Sequence, residues 1–297
     1  MSKTLIAVER PAGPERGRPR DEESLRLLST ALTMVGVLAL WFVCHVFVFA
    51  TVSQERQQAV LYDQLRADMA AATAPVGPIV AQGTPVSLLT IPALDLEQVV
   101  VEGTTSGDLL AGPGHRRDTV LPGQVGNSVV YGRSSTYGAP FKEIADLRTG
   151  DRIRVDGAQG TVDFAVIGVR RAGDLLPAPA TAGAARLTLA TSEGRGRLDA
   201  LSRGEVVYVD AEAKEGFPAP SGRLGAVNDE ERAMGTDPGI LPRLVLLMAL
   251  LVLLTIATVV ARQRWSAVLT WVVAAPIAGA LTWATTDAAM RLLPNLV

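Results

Sequence analysis

Proton transfer near neutral pH needs histidine, and thiol chemistry needs cysteine. This chain holds two histidines and one cysteine. Cys44 and His45 are neighbours inside a long apolar run. A thiol there is expected to be a small apolar filler, and a lone cysteine builds neither an intrachain disulfide nor a cysteine metal cluster. His115 is then the one histidine open to a site in water. Gly112–Gly114 falls between predicted strands with no helix behind it, so it reads as a turn and not as a phosphate cradle. No zinc spacing or nucleotide fingerprint occurs, and no cofactor or metal is implied. The 28 basic and 30 acidic residues nearly cancel, so there is no basic field for nucleic acid, and no nucleic-acid partner is expected.

The elements that must position these residues are of two kinds. Hydrophobic residues make up 48% of the 297, with a mean hydropathy of +0.26. Three apolar runs account for much of this. The first, 27–52, is long enough at 1.5 Å per residue for a bilayer core of about 30 Å. It exceeds a signal-peptide core and follows Arg10, Arg16, Arg18, Arg20 and Arg26, so an uncleaved anchor with a cytoplasmic N-terminus is expected. The second and third runs, 240–261 and 266–285, are joined by a short connection carrying Arg262 and Arg264. That connection should face the cytoplasm, which agrees with the first anchor, and the tail from Thr286 to Val297 would lie outside. Three transmembrane helices are therefore expected.

Around them, 1–26 is a polar tail expected to be disordered. Val60, Leu61, Leu65 and Met69 in 53–72 have the spacing of a helical stripe, here a stalk that could pair with a second copy. Residues 73–85 and 214–239 are rich in Pro and Gly and read as linkers. Between them, 86–213 alternates short apolar stretches with turns: Val86–Ile91, Gln98–Val101, Ser128–Tyr131, Asp151–Val155, Thr161–Val169, Arg186–Ala190 and Glu205–Asp210. These are strands by length and β-branched content, and many short strands imply a barrel or sandwich. Phe141–Leu147 reads as a single helical or 3₁₀ turn. Lysine is scarce beside arginine, which is read as the coding bias of a GC-rich genome.

Within 86–213 an ordered series of motifs resembles the sortase family, in particular the actinobacterial class E type. Ile91-Pro92-Ala93-Leu94 is similar to its opening strand. Gly112-Pro113-Gly114-His115 with Leu121-Pro122-Gly123-Gln124 resembles its GPGH…LPGQ loop. Thr136-Tyr137-Gly138-Ala139-Pro140-Phe141 resembles the stretch after the catalytic histidine, Leu147–Asp151 its L-x-x-G-D turn, and Thr188-Leu189-Ala190-Thr191-Ser192 its TLxTC strand apart from the last residue. The resemblance implies a mainly β fold, an eight-stranded β-barrel with its site at the ends of two neighbouring strands. It also implies a chemistry in which a cysteine thiolate attacks a sorting-signal carbonyl, a histidine moves the proton and an arginine steadies the oxyanion.

Carried over by position, the histidine place holds Arg133, the cysteine place Ser192, and the arginine place Arg203, with Arg195 and Arg197 as substitutes. A guanidinium stays protonated and is no base, and a hydroxyl without a base is a poor nucleophile. A pseudoenzyme is thus expected, with Arg133, Ser192, Arg203, Thr191 and Tyr137 as binding residues for a cell-envelope protein or peptide. A cationic pocket from Arg133 and Arg203 would suit a carboxylate. The rival readings are an active transpeptidase or hydrolase with Ser192 as nucleophile, whose base would have to be His115 because Glu193 points to the opposite strand face, and a structural membrane subunit. Arg195, Arg197 and Arg203, interspersed with Glu193, Asp199 and Glu205, read as a solvated mixed-charge loop. Asp287 reads as an interfacial residue.

Overall fold

The computed structural model describes residues 36, 40, 41, 49–77, 79–193, 204–262, 264 and 266–297. Residues 44–297 form one unit, separate from 1–43. The expected disordered tail and most of the first apolar run lie outside the described residues, with Cys44 and His45.

Eight strands close into a barrel in the order β1-β2-β3-β4-β7-β8-β6-β5. They are β1 Pro85–Ile91, β2 Leu96–Glu102, β3 Gly114–His115, β4 Gly126–Tyr131, β5 Arg152–Gly157, β6 Gly160–Arg171, β7 Ala185–Glu193 and β8 Glu205–Ala213. Every stretch expected as a strand falls on one of them. β3 is the addition: two residues of the GPGH loop pair parallel with Val101 and Glu102 and antiparallel with Tyr131 and Val130. Two residues are too few to show an alternation, which is why the pattern reads as a turn. Alternate side chains fill the barrel, among them Leu89 and Ile91, Ile153 and Val155, Phe164 and Val166, Leu187 and Leu189, and Val209 and Ala211, as period-two strands require. The expected short turn appears as a 3₁₀ helix at Ile144–Asp146.

One pairing sets up the site. β4 and β7 run parallel, with Tyr131 beside Ala190. Parallel strands end on the same edge, so the residues after Tyr131 and those after Ala190 emerge side by side.

Among the described residues three helices accompany the barrel: α1 Ala50–Ala70, α2 Leu241–Arg262 and α3 Ala267–Met290. α1, the expected stalk, lies against the barrel. Gln58 bonds both main-chain groups of Val99 (2.7 and 3.2 Å) and the Ala111 carbonyl (2.8 Å), and Gln54 donates to Gln98 at 2.7 Å. α2 and α3 pack on each other.

The expectation of three spans is corrected here. Among the described residues two helices are long and apolar enough to cross a membrane, Pro238–Thr258 and Val268–Met290. Of the first apolar run, residues 50–52 begin α1. α3 also runs past the expected end at 285, its hydroxyls Thr285 and Thr286 each bonding the carbonyl one turn back. The linker 214–239 carries two 3₁₀ turns. It touches the barrel where Thr104 Oγ1 donates to the Glu231 carbonyl at 2.7 Å.

Candidate functional site

The chain turns sharply as it leaves β4. Gly132 N–H donates to the Ala190 carbonyl (3.0 Å), and Thr191 Oγ1 donates to the Gly132 carbonyl (2.9 Å). A Cβ on Gly132 would stand 2.4 Å from the Phe141 ring, so only glycine fits between β7 and that ring. The next residue, Arg133, is completely buried.

Its guanidinium spends its donors on hydroxyl and main-chain oxygens. Nη1 donates to Thr136 Oγ1 (3.0 Å) and to the main-chain oxygen of Val297 (2.7 Å). Nη2 donates to the carbonyl and hydroxyl of Ser106 (2.9 and 2.8 Å). Nε, also buried, has no hydrogen-bond partner among the described residues, and no Asp or Glu side chain pairs with this arginine among them. The Tyr137 ring centroid lies 5.7 Å from the guanidinium carbon, which suits a cation–π contact. Burial pushes the Arg133 pKa down to about 10. The side chain is therefore still a cation at neutral pH and offers no lone pair to take a proton.

Ser192 ends up beside it at the edge of β7. Its Oγ lies 2.7 Å from Ser134 Oγ and 2.9 Å from the Leu296 carbonyl. Ser134 brings its N–H (3.0 Å) and its hydroxyl (3.1 Å) to the same carbonyl. Two hydroxyl protons serve three contacts, so the Leu296 oxygen receives the Ser134 amide and at least one hydroxyl in any arrangement. Among the described residues, no histidine, carboxylate or amine hydrogen-bonds to Ser192.

The two candidate bases are engaged elsewhere. Glu193 accepts from Arg171 Nε at 2.8 Å and Nη2 at 3.1 Å. His115 is buried, with Nδ1 2.7 Å from Glu102 and Nε2 2.7 Å from the Val120 carbonyl and 3.0 Å from Thr119 Oγ1. Nε2 faces a carbonyl and must carry its proton; Nδ1 shares one with Glu102. Neither nitrogen is left for Ser192, so the Ser192–His115 pair is not formed.

The occupant of the site is the stretch that follows α3. Leu296, fully buried, packs with Leu109, Val129, Tyr131 and Ala190. Asn295, also fully buried, donates from Nδ2 to the carbonyls of Thr104 (2.7 Å) and Arg232 (2.9 Å), and its N–H bonds the Gly235 carbonyl (2.9 Å). Asn295 Oδ1 has no partner among the described residues. Thr136 Oγ1 adds a second donor, at 2.8 Å, to the Val297 oxygen. Sequence reasoning missed this segment. The signal was Leu292-Leu293-Pro294-Asn295-Leu296-Val297 itself, an uncharged stretch that gains nothing from water.

Tyr137 anchors the same corner to α3. Tyr137, Gly138 and Ala139 all take left-handed backbone, with φ of 49°, 76° and 45°, strained for the two that carry a Cβ. The Tyr137 hydroxyl donates to Asp287 Oδ1 at 2.6 Å, and burial together with that bond raises its pKa above the ordinary phenol value. Asp287, expected at an interface, is thus tied to the barrel. Thr191 is spent on Gly132. Arg203, Arg195, Arg197 and Asp199 lie outside the described residues, and with them the pocket of two arginines.

The sortase family, described as "Sortase domain", matches residues 89–203. The barrel is a sortase domain. The chain is 31% identical over 80 residues to Sortase D of Bacillus subtilis (strain 168); the match takes in 27% of this chain and 39% of that protein's length. Among solved structures, a Clostridium perfringens Sortase D5 transpeptidase is 16% identical, with a TM-score of 0.42 over 54% of this chain and 97% of that one. Sortase E1 from Streptomyces coelicolor, solved with a tripeptide in the active site, is 24% identical, with a TM-score of 0.37 over 46% and 94%. Within the matched residues, Arg133 follows the end of β4 and Ser192 lies near the end of its parallel neighbour β7.

Proposed function

We infer that this sortase-family protein performs no transpeptidation and that its altered centre works as a socket for a short turned peptide segment, as Pro294–Val297 is, with Val297 N–H donating to the Pro294 carbonyl at 3.2 Å. One observation carries the reading. The Ser192 hydroxyl and the Arg133 guanidinium, where a nucleophile and a base would be required, both act as hydrogen-bond donors to successive main-chain oxygens, those of Leu296 and Val297. Acyl transfer needs a group that takes the proton from the nucleophile, and around Ser192 the partners are another hydroxyl and a carbonyl. A fixed cation with several N–H groups is instead suited to holding carbonyl oxygens.

The setting of this socket follows from the helices. α2 and α3 expose Val245, Leu253, Val268 and Val272 over more than half of their surface, as lipid-facing side chains are. With Arg262 and Arg264 at the cytoplasmic turn, the barrel lies on the outer side of the cell membrane. There its task is to bind or organise cell-envelope proteins. The docking of α1 and α3 on the barrel favours a second reading, a structural membrane subunit whose barrel is a fixed spacer.

The test is incubation of the full chain in nanodiscs with a library of sorting-signal peptides and an amine acceptor, followed by mass spectrometry, with Ser192→Ala as control. No cleavage, no transfer and no adduct on Ser192 is the expected result. Turnover that disappears in Ser192→Ala would establish a serine enzyme and overturn the reading. Unchanged envelope-protein association in Arg133→Gln would favour the spacer.

A further inference from the structure

The segment in the socket has the contacts of a ligand. It contributes main-chain oxygens at Leu296 and Val297, one buried apolar side chain at Leu296, and one amide side chain at Asn295 that reads two carbonyls. Its receptor is made elsewhere in the chain, by the loop at Thr104–Ser106, the corner Arg133–Thr136, the end of β7, and the turn Arg232–Gly235. The receptor specifies chemistry: a tight turn with Asn followed by a branched aliphatic residue at its two central positions, uncharged at both because Asn295 and Leu296 are fully buried.

The match is incomplete. Arg133 Nε and Asn295 Oδ1 are both buried without a hydrogen-bond partner among the described residues, and an unmet buried polar atom costs about 1–3 kcal/mol. A different occupant could offer an acceptor to Arg133 Nε.

Resting on the socket reading above, we propose that Leu293–Val297 is the resident ligand of the sortase domain, displaced when a partner protein presents an Asn-Leu turn to the same groove. The partner is thus recognised by a short uncharged stretch, and the chain's own copy sets the threshold concentration. A ligand site filled most of the time by a tethered copy binds an added copy more weakly in proportion to the small unfilled fraction.

The experiment uses the full chain in nanodiscs, a form ending at Leu292, and full-length Leu296→Asp, which buries a charge and so expels the segment without deleting it. The probe is a fluorescein-labelled synthetic peptide with the sequence of residues 291–297. Both altered forms should bind the probe saturably, the full chain at least about 10-fold more weakly, and a probe carrying Asp at the Leu296 place should bind none of them. Hydrogen–deuterium exchange on the unaltered chain gives a reading that does not depend on the variants folding. Excess probe should speed exchange of the Asn295 amide while the Ser134 amide, which bonds to whichever segment is present, stays protected. Equal affinity in all three forms, or an Asn295 amide that stays protected at saturating probe, would overturn the proposal. Cleavage of the probe by the truncated form would instead overturn the non-catalytic reading and leave the self-occupied groove standing.

Discussion

The sortase domain holds two buried polar centres, and they are built in opposite ways. The centre around His115 is local. Its partners Glu102, Thr119 and Val120 lie no more than 13 residues away, and all belong to the barrel. The centre around Arg133 and Ser192 is assembled from afar, with Val297 164 residues from Arg133 and Leu296 104 residues from Ser192. A local network is complete once the barrel closes. The other stays unsatisfied until a segment beyond α3 arrives. A buried histidine next to a carboxylate, which suggests catalysis on paper, is here the framework. The centre with no acid–base pair is the one completed by a distant segment.

Variants can separate the two. The largest effect should come from His115→Leu, which leaves Glu102 buried without its partner. Losing one member of such a pair costs about 3–5 kcal/mol, read as a lowered unfolding midpoint of the whole barrel. If the loss is confined to residues 293–297, the two centres are not independent. Ending the chain at Leu292 should cost about 3 kcal/mol through the buried Leu296 and Val297 side chains. It should expose the Ser134 amide to exchange while leaving the Gly103 amide, bonded to His115 O, protected. Loss of protection at both sites would merge the centres.

Arg133→Met removes four donated bonds but also a buried charge. The two effects partly offset, leaving a loss of about 2 kcal/mol together with faster exchange at Asn295. Smallest is Tyr137→Phe. Loss of the bond to Asp287 should cost about 1 kcal/mol, and exchange should rise at the left-handed stretch 137–139 without a change in the His115 region.

Much of this molecule could be read from its residues because strands announce themselves locally. Leu187-Thr188-Leu189 alternates, and so does Val207-Tyr208-Val209, and each lands on its strand. Arg133 and Ser192 could be brought together because parallel β4 and β7 follow from the family's topology. Three features stayed hidden. β3 is too short for a period. The bond from Tyr137 to Asp287 spans 150 residues, which no local pattern encodes. The occupancy of the site is a contact across more than 100 residues, where composition gives only the weak hint of an uncharged tail. The expectation that Ser192 would need His115 was sound chemistry, but the ring nitrogens of His115 were already taken by the loop on which it lies.

The distance along the chain between Ser192 and Leu296 is also an interval of time. At roughly 5–20 residues per second of synthesis, the 104 residues between them take roughly 5–20 s to make. For that interval each new molecule has β4 and β7 but not the stretch that fills their edge. The edge of β4 and β7 is therefore bare while those residues are being added, and it is covered only when the stretch after α3 has emerged.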